Sequence, residues 1–216
     1  MSFKFKKASC VVVGAFNVYV FHPCFFAQTK IVSEGEEALI ETDFSQPGFR
    51  LSFPNTTIKW GIRPDRILVE TTEFSADCGA LVAKVLETLP WTPITALGAN
   101  FEFEASCDEF EAMPCRRFLP ALLSEKTSRR TIHAAVEEQP HVFNFSISRM
   151  PEHVGFGINV HTEVKKIGLG KLSRTDISAM MEGYARQFHE FRDHAITLAR
   201  EVLEVEVEDA KNIDNV

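Results

Sequence analysis

The stretch HVFNFSISRMPEHVGFGINVHTEV, residues 141–164, decides the fold class. Phe143, Phe145 and Ile147 alternate with Asn144, Ser146 and Ser148, and Phe156, Ile158 and Val160 alternate with Gly157, Asn159 and His161. That period of two belongs to strands with one buried face. Strands over His141–Ser148 and Val154–Val164 are therefore expected, joined as a hairpin by Arg149-Met150-Pro151-Glu152-His153. Matching the apolar faces fixes the register with Phe145 opposite Ile158, because a one-residue slip would turn every Phe outward.

Upstream of the hairpin, Thr131–Glu137 is a further strand. Cys107–Ser124 has helical composition but is cut by Pro114 and Pro120, which predicts two short pieces. Ile94–Glu104 is a strand, and a helix over Ala76–Leu89 precedes it, capped by Ser75 or Asp77 and stopped by Pro90. Before that, Ala38–Thr42, Phe49–Phe53, Thr57–Gly61 and Arg66–Thr71 form a meander separated by turn chemistry at Gln46-Pro47-Gly48, Pro54-Asn55 and Arg63-Pro64-Asp65. Ala8–Phe21 reads as one strand with a bulge or break at Gly14.

Downstream, the glycine-softened loop Lys165–Arg174 leads to Ile177, Met181, Tyr184, Phe188, Phe191, Ala195, Leu198 and Val202, which recur at spacings of four and three. This predicts one helix over about Thr175–Leu203, roughly 40 Å long at ~1.5 Å per residue, with a narrow apolar stripe. The expected class is α+β: a mostly antiparallel sheet, a mid-chain helix and a long C-terminal helix packed on or beside the sheet. Residues 1–205 are expected to form a single domain, followed by a frayed acidic tail over 206–216. No internal repeat is visible in the sequence.

Composition narrows the function classes. The chain has 216 residues, 45% hydrophobic, and a net charge of −7, which opposes broad binding to phosphate backbones and makes nucleic acid a poor direct ligand. Nineteen Phe against two Tyr and two Trp imply a ring-filled core or interface. Five cysteines without a CxxC pair, no signal peptide and no long apolar span point to a reducing cytoplasm and away from a membrane.

Motifs for chemistry are incomplete. Ile167-Gly168-Leu169-Gly170-Lys171-Leu172-Ser173 fails as a Walker A loop, because Lys165 stands at the first glycine position and Leu172 separates Lys171 from Ser173. His189 and His194 are five residues apart, so they splay by roughly 140° on a helix and miss the HExxH geometry; a solvated helix face is expected instead. The register sends His141 and His161 to opposite faces, which dissolves a three-histidine site with His153. Cys115 beside Arg116 and Arg117 has no base near it in sequence, so it is expected to be a structural thiol. No catalytic, metal or cofactor residue is assigned, and nothing supports an enzyme.

Asn17 and Asn100 sit among apolar residues, each beside a Phe, where a buried carboxamide must either tie backbone or line a pocket. Two stretches resemble a family of uncharacterised bacterial cytoplasmic proteins. The first is Gly14-Ala15-Phe16-Asn17-Val18-Tyr19-Val20-Phe21-His22-Pro23, similar to an FNPxxxxP-type opening, with Val18 where the pattern often has Pro. The second runs from Arg66-Ile67-Leu68-Val69-Glu70 through Leu89-Pro90-Trp91-Thr92-Pro93-Ile94 to Gly98-Ala99-Asn100-Phe101. The resemblance implies a bacterial cytoplasmic α+β protein and supplies no catalytic residue.

Two functions are expected to compete. One is a non-enzymatic interaction protein, a homo-oligomer or a subunit of a larger bacterial assembly such as an antiviral defence system, touching its partner through Tyr184, Phe188, Phe191 and Leu198. The other is a small-ligand or nucleotide-binding module with a pocket between the sheet and the last helix, lined by Asn17, Asn100, Lys171 and Arg174.

Overall fold

Strand β1 (Lys4–Gly14) buries Ala8, Cys10 and Val12 on one side and ends at Gly14. A Cβ at Gly14 would lie 2.5 Å from the Pro93 carbonyl oxygen, so the close approach of two backbones requires glycine there. The single strand expected over Ala8–Phe21 is thus too long. Asn17 caps a 3-10 turn over Val18–Val20, and Pro23 opens a short helix, α1 (Pro23–Gln28). These are results from a computed structural model that describes residues 2–33, 35–42, 45, 47–118, 130–167 and 173–208.

The meander follows as β2 (Leu39–Thr42), β3 (Phe49–Ser52), β4 (Lys59–Arg63) and β5 (Arg66–Thr71), each antiparallel to the next. Helix α2 (Cys78–Thr88) is capped by Asp77, whose Oδ1 accepts from the Ala80 amide at 2.8 Å. The chain then re-enters the sheet as β6 (Ile94–Ser106) and turns into α3 (Cys107–Glu111), which carries a Ser106–Glu109 capping box. A 3-10 turn over Pro114–Phe118 is the second of the two short pieces expected here.

The second meander is β7 (Arg130–Glu138), β8 (His141–Arg149) and β9 (His153–Glu163). Phe145 pairs with Ile158, the register derived from the apolar faces. After a 3-10 turn over Val164–Ile167 come α4 (Arg174–Arg186) and α5 (Phe188–Leu203). The one long helix expected here is therefore two. The break at Gln187 falls where α2 presses closest: a Cβ on Gly79 would collide with the Ala185 carbonyl and with Phe188 Cβ.

The nine strands of the described residues join one antiparallel sheet in the order β2-β3-β4-β5-β1-β6-β9-β8-β7. The sequence hides a repeat of connection. Each half runs strand, short helix, meander, then long helix or helix pair, and the last meander strand returns to pair with the first strand of its half. Antiparallel pairing of β1 with β6 joins the halves, whose meanders have four and three strands.

Helices α2, α4 and α5 pack on one face of this sheet, and the nearly continuous core between them is aromatic. Phe101 meets Phe188 at 4.9 Å between ring centroids, and Phe103, Phe145 and Phe156 stack nearby. Each fully buried ring contributes about 2–3 kcal/mol by removal of apolar surface from water. The chain also stays ordered past the expected boundary at 205. Val207 bridges Phe3 in parallel, with Phe3 donating its amide to the Glu206 carbonyl and Glu208 donating to Phe3, both at 2.9 Å.

Candidate functional site

Alternation leaves the other sheet face without a helix among the described residues. Along β9, Val154, Phe156, Ile158, Val160 and Thr162 are buried, while His153, Gly155, Gly157, Asn159, His161 and Glu163 between them are half-exposed. One transverse row on that face aligns Ser9, Asn100, Asn159 and Asn144 across β1, β6, β9 and β8. Their side chains form a one-way ladder. Asn144 donates to Asn159 Oδ1 at 3.1 Å, Asn159 donates to Asn100 Oδ1 at 2.7 Å, and Asn100 donates to Ser9 Oγ at 3.2 Å. Each carboxamide uses one of its two N–H donors in the ladder, and Asn144 Oδ1 accepts from no group of the described residues.

The ladder crosses the floor of a hollow of about 640 Å³, which also includes Ser146, Ser148, His133 and His153. This volume lies in the range of ordinary ligand sites, roughly 300–1,000 Å³. Gly155 and Gly157 keep the floor low, and a Cβ at Gly157 would come within 2.7 Å of Ser146 Oγ. Charges along one side neutralise each other: Lys6 pairs with Glu104 at 2.6 Å, and Lys7 lies 3.7 Å from Glu70 and 3.5 Å from Glu102. The floor itself is polar and uncharged.

A second hollow of about 490 Å³ adjoins the first at Leu68. Arg50, Arg63 and Arg66 line it around Gly61, with Glu41 at the edge. Arg63 and Arg66 stand directly opposite each other on β4 and β5, a like-charge pairing that costs stability. Asp65 offsets Arg66 at 3.1 Å, whereas no carboxylate of the described residues pairs with Arg50 or Arg63. The open face thus runs from a neutral carboxamide floor to a positively charged end.

The residues singled out in the sequence scatter. Asn100 is in the ladder. Asn17 is exposed and accepts from the Tyr19 amide at 3.2 Å, so it ties backbone rather than lining a cavity. Arg174 begins α4 and is exposed, on a different layer from Asn100, and Lys171 lies outside the described residues. Among the described residues Asn100 opens on the face away from the helices, and the middle of the loop 165–174 that would complete the expected pocket between sheet and last helix lies outside them.

The apolar stripe is spent on the protein's own sheet. Phe188, Phe191 and Leu198 are 1%, 8% and 9% exposed, and half-buried Tyr184 packs its ring against His141. Val202, at the end of the stripe, is the exception at 49%. These side chains hold the helices down and leave no stripe for a partner.

The remaining titratable groups do not converge. His141 lies on the helix side with Nδ1 2.7 Å from Thr162 Oγ1, and its pKa is held below 6.5 by burial, against the opposing pull of Glu138. His161 faces the other side, 3.1 Å from Glu163. His194 reaches Glu138 at 2.7 Å, while His189 turns to Asp77 at 3.7 Å with its Nδ1 buried and unpartnered, so this pair is engaged rather than merely solvated. Burial pushes the Cys115 thiol up, and the Cys78 thiol to about 12, which suppresses thiolate chemistry. No cluster of His, Cys, Asp and Glu among the described residues has the arrangement of a metal site, and none of their helices is long and apolar enough to cross a membrane.

No protein-family model matches the chain, and no curated protein matches it in sequence.

Proposed function

We infer that this chain is a non-enzymatic interaction protein that receives its partner on the open face of the sheet. The supporting observation is the carboxamide ladder Asn144–Asn159–Asn100–Ser9 on a glycine-lowered floor, in which each carboxamide gives only one of its two N–H donors to the ladder. A face that only needed solubility would carry scattered charges with no such alignment. Arg50, Arg63 and Arg66 at the adjoining hollow add a preference for a partner carrying an anionic group next to a neutral polar segment. A larger bacterial assembly, including one for defence, is a setting that suits such a role, while the sequence resemblance implies only a bacterial cytoplasmic α+β protein.

The 640 Å³ hollow also favours a second reading, a small-ligand module, since its size suits a single compact molecule. Affinity capture and native mass spectrometry test both readings. The parent protein is compared with Asn144→Ala/Asn159→Ala and with Glu190→Ala on the helix side. A protein or small molecule held by the parent and by Glu190→Ala, and lost from the ladder variant, supports the open face as the site. Equal retention by all three proteins overturns it.

A further inference from the structure

We propose that the outer edge of β7 pairs with β7 of a second copy, extending the sheet across a two-fold axis through Ala134. Among the described residues β7 bonds only to β8, and it ends the nine-stranded order. Its nine residues, Arg130-Thr131-Ile132-His133-Ala134-Ala135-Val136-Glu137-Glu138, include no proline and no lysine, and its formal charges stand only at the two ends, so the centre of the edge is not blunted. By contrast, the other edge strand, β2, is four residues long.

Hydrogen-bond parity decides which residues are available. The β7–β8 hairpin closes over Gln139 and Pro140 with Glu138 opposite His141. The pair closing a two-residue turn is hydrogen-bonded, so Glu138, Val136, Ala134 and Ile132 direct their backbone groups inward to β8. Thr131, His133, Ala135 and Glu137 direct theirs outward. An antiparallel second copy must therefore pair odd positions with odd positions.

One register satisfies the side chains as well. Centred on Ala134, it sets Thr131 against Glu137, His133 against Ala135 and Ile132 against Val136 of the second copy. Ile132, Ala134 and Val136 are only partly buried against the core, and this pairing covers the exposed remainder of all three. The next allowed registers are worse: one sets Ile132 against Glu138, and the other sets position 130 against Val136. The strand reads as its own complement, which names a second copy of this chain as the occupant.

The inference is separable from the open-face reading: the edge uses the outward backbone of β7, whereas the ladder residues lie on β1, β6, β8 and β9, and the two share only His133. Sedimentation velocity at micromolar concentration is expected to give twice the 24.3 kDa of one chain. Ala135→Pro removes an outward N–H and no bond to β8, so it is expected to give a folded monomer with an unchanged far-ultraviolet spectrum. The register is tested by cysteine. Non-hydrogen-bonded antiparallel pairs bring Cα atoms to about 4.5 Å, within disulfide reach. With exposed Cys24 changed to Ser, Ala134→Cys should cross-link to itself under mild oxidation at least tenfold faster than Ala135→Cys. A monomeric parent, a dimer that survives Ala135→Pro, or equal cross-linking at the two positions would overturn the proposal.

Discussion

On β8 and β9 the two faces of one sheet carry opposite chemistries. Phe143, Phe145, Ile147, Phe156, Ile158 and Val160 are buried under the helices, and Asn144, Ser146, Gly155, Gly157 and Asn159 lie open on the other side. The backbone is shared, so any difference in how the faces behave comes from side chains that alternate one by one. The closed face is large, apolar and interlocked, and losing one ring there leaves a void that neighbours cannot fill. The open face is small and polar, and its order comes from three hydrogen bonds in a row. Cohesion is concentrated on one side, which leaves the other free to be selected for recognition.

The largest expected effect tests that division directly. Phe145→Ala should cost ~3–5 kcal/mol, the usual price of emptying a large core site. Its neighbour Ser146, on the open face, should cost less than about 0.5 kcal/mol when changed to Ala. Urea melts with unchanged slope measure both, and equal losses would erase the distinction between the faces. A smaller effect sharpens it. Asn159 sits in the middle of the ladder and makes two of its bonds, so Asn159→Ala should lose about 1–2 kcal/mol. An Asn159→Ala protein as stable as the parent would mean that the ladder contributes nothing to the fold and serves only a ligand.

The smallest effect concerns pH. Burial lowers the pKa of His141 below 6.5, so the unfolded chain binds a proton that the folded chain resists. Stability attributable to this group is intact above pH 6.5 and is lost as pH falls from there through the folded-state value. His141→Gln retains a hydrogen-bonding partner for Thr162 and removes the titration, so thermal melts between pH 7.5 and about 5 should decline less steeply in the variant. Parallel curves for the two proteins would show that His141 is not desolvated in solution.

Much of the closed face was legible because one rule governed it. Apolar alternation alone placed Phe145 opposite Ile158, and the same register already set Asn144 opposite Asn159. Those two asparagines alternate with apolar residues, so the sequence reads them as an ordinary solvated face, and nothing local distinguishes an aligned ladder from scattered polar side chains. Asn100 stands out beside Phe101, but its partners Ser9 and Asn159 come from β1 and β9, and no local pattern announces a pairing across 91 or 59 residues. The over-long first strand has a similar cause: Val18, Val20 and Phe21 favour extended chain, and Asn17 and Pro23 prevailed through capping and a fixed φ. The break at Gln187 has no Gly or Pro to signal it, since it depends on α2 approaching from a distant part of the chain.

The place of β1 in the middle of the sheet has a consequence for the order in which the chain can take shape. Its neighbours β5 and β6 begin only at Arg66 and Ile94, so at about 5–20 residues per second the ribosome leaves β1 without a partner on either edge for several seconds. During that interval Val11, Val12 and Val13 present an exposed, apolar, unpaired ribbon, the kind of segment that chaperones bind. Phe3, just before the strand, finds its own partner only when residues 206–208 arrive to lie beside it. The centre of the sheet is therefore the earliest part of this fold to be made, and the bridge at its start is the last to close.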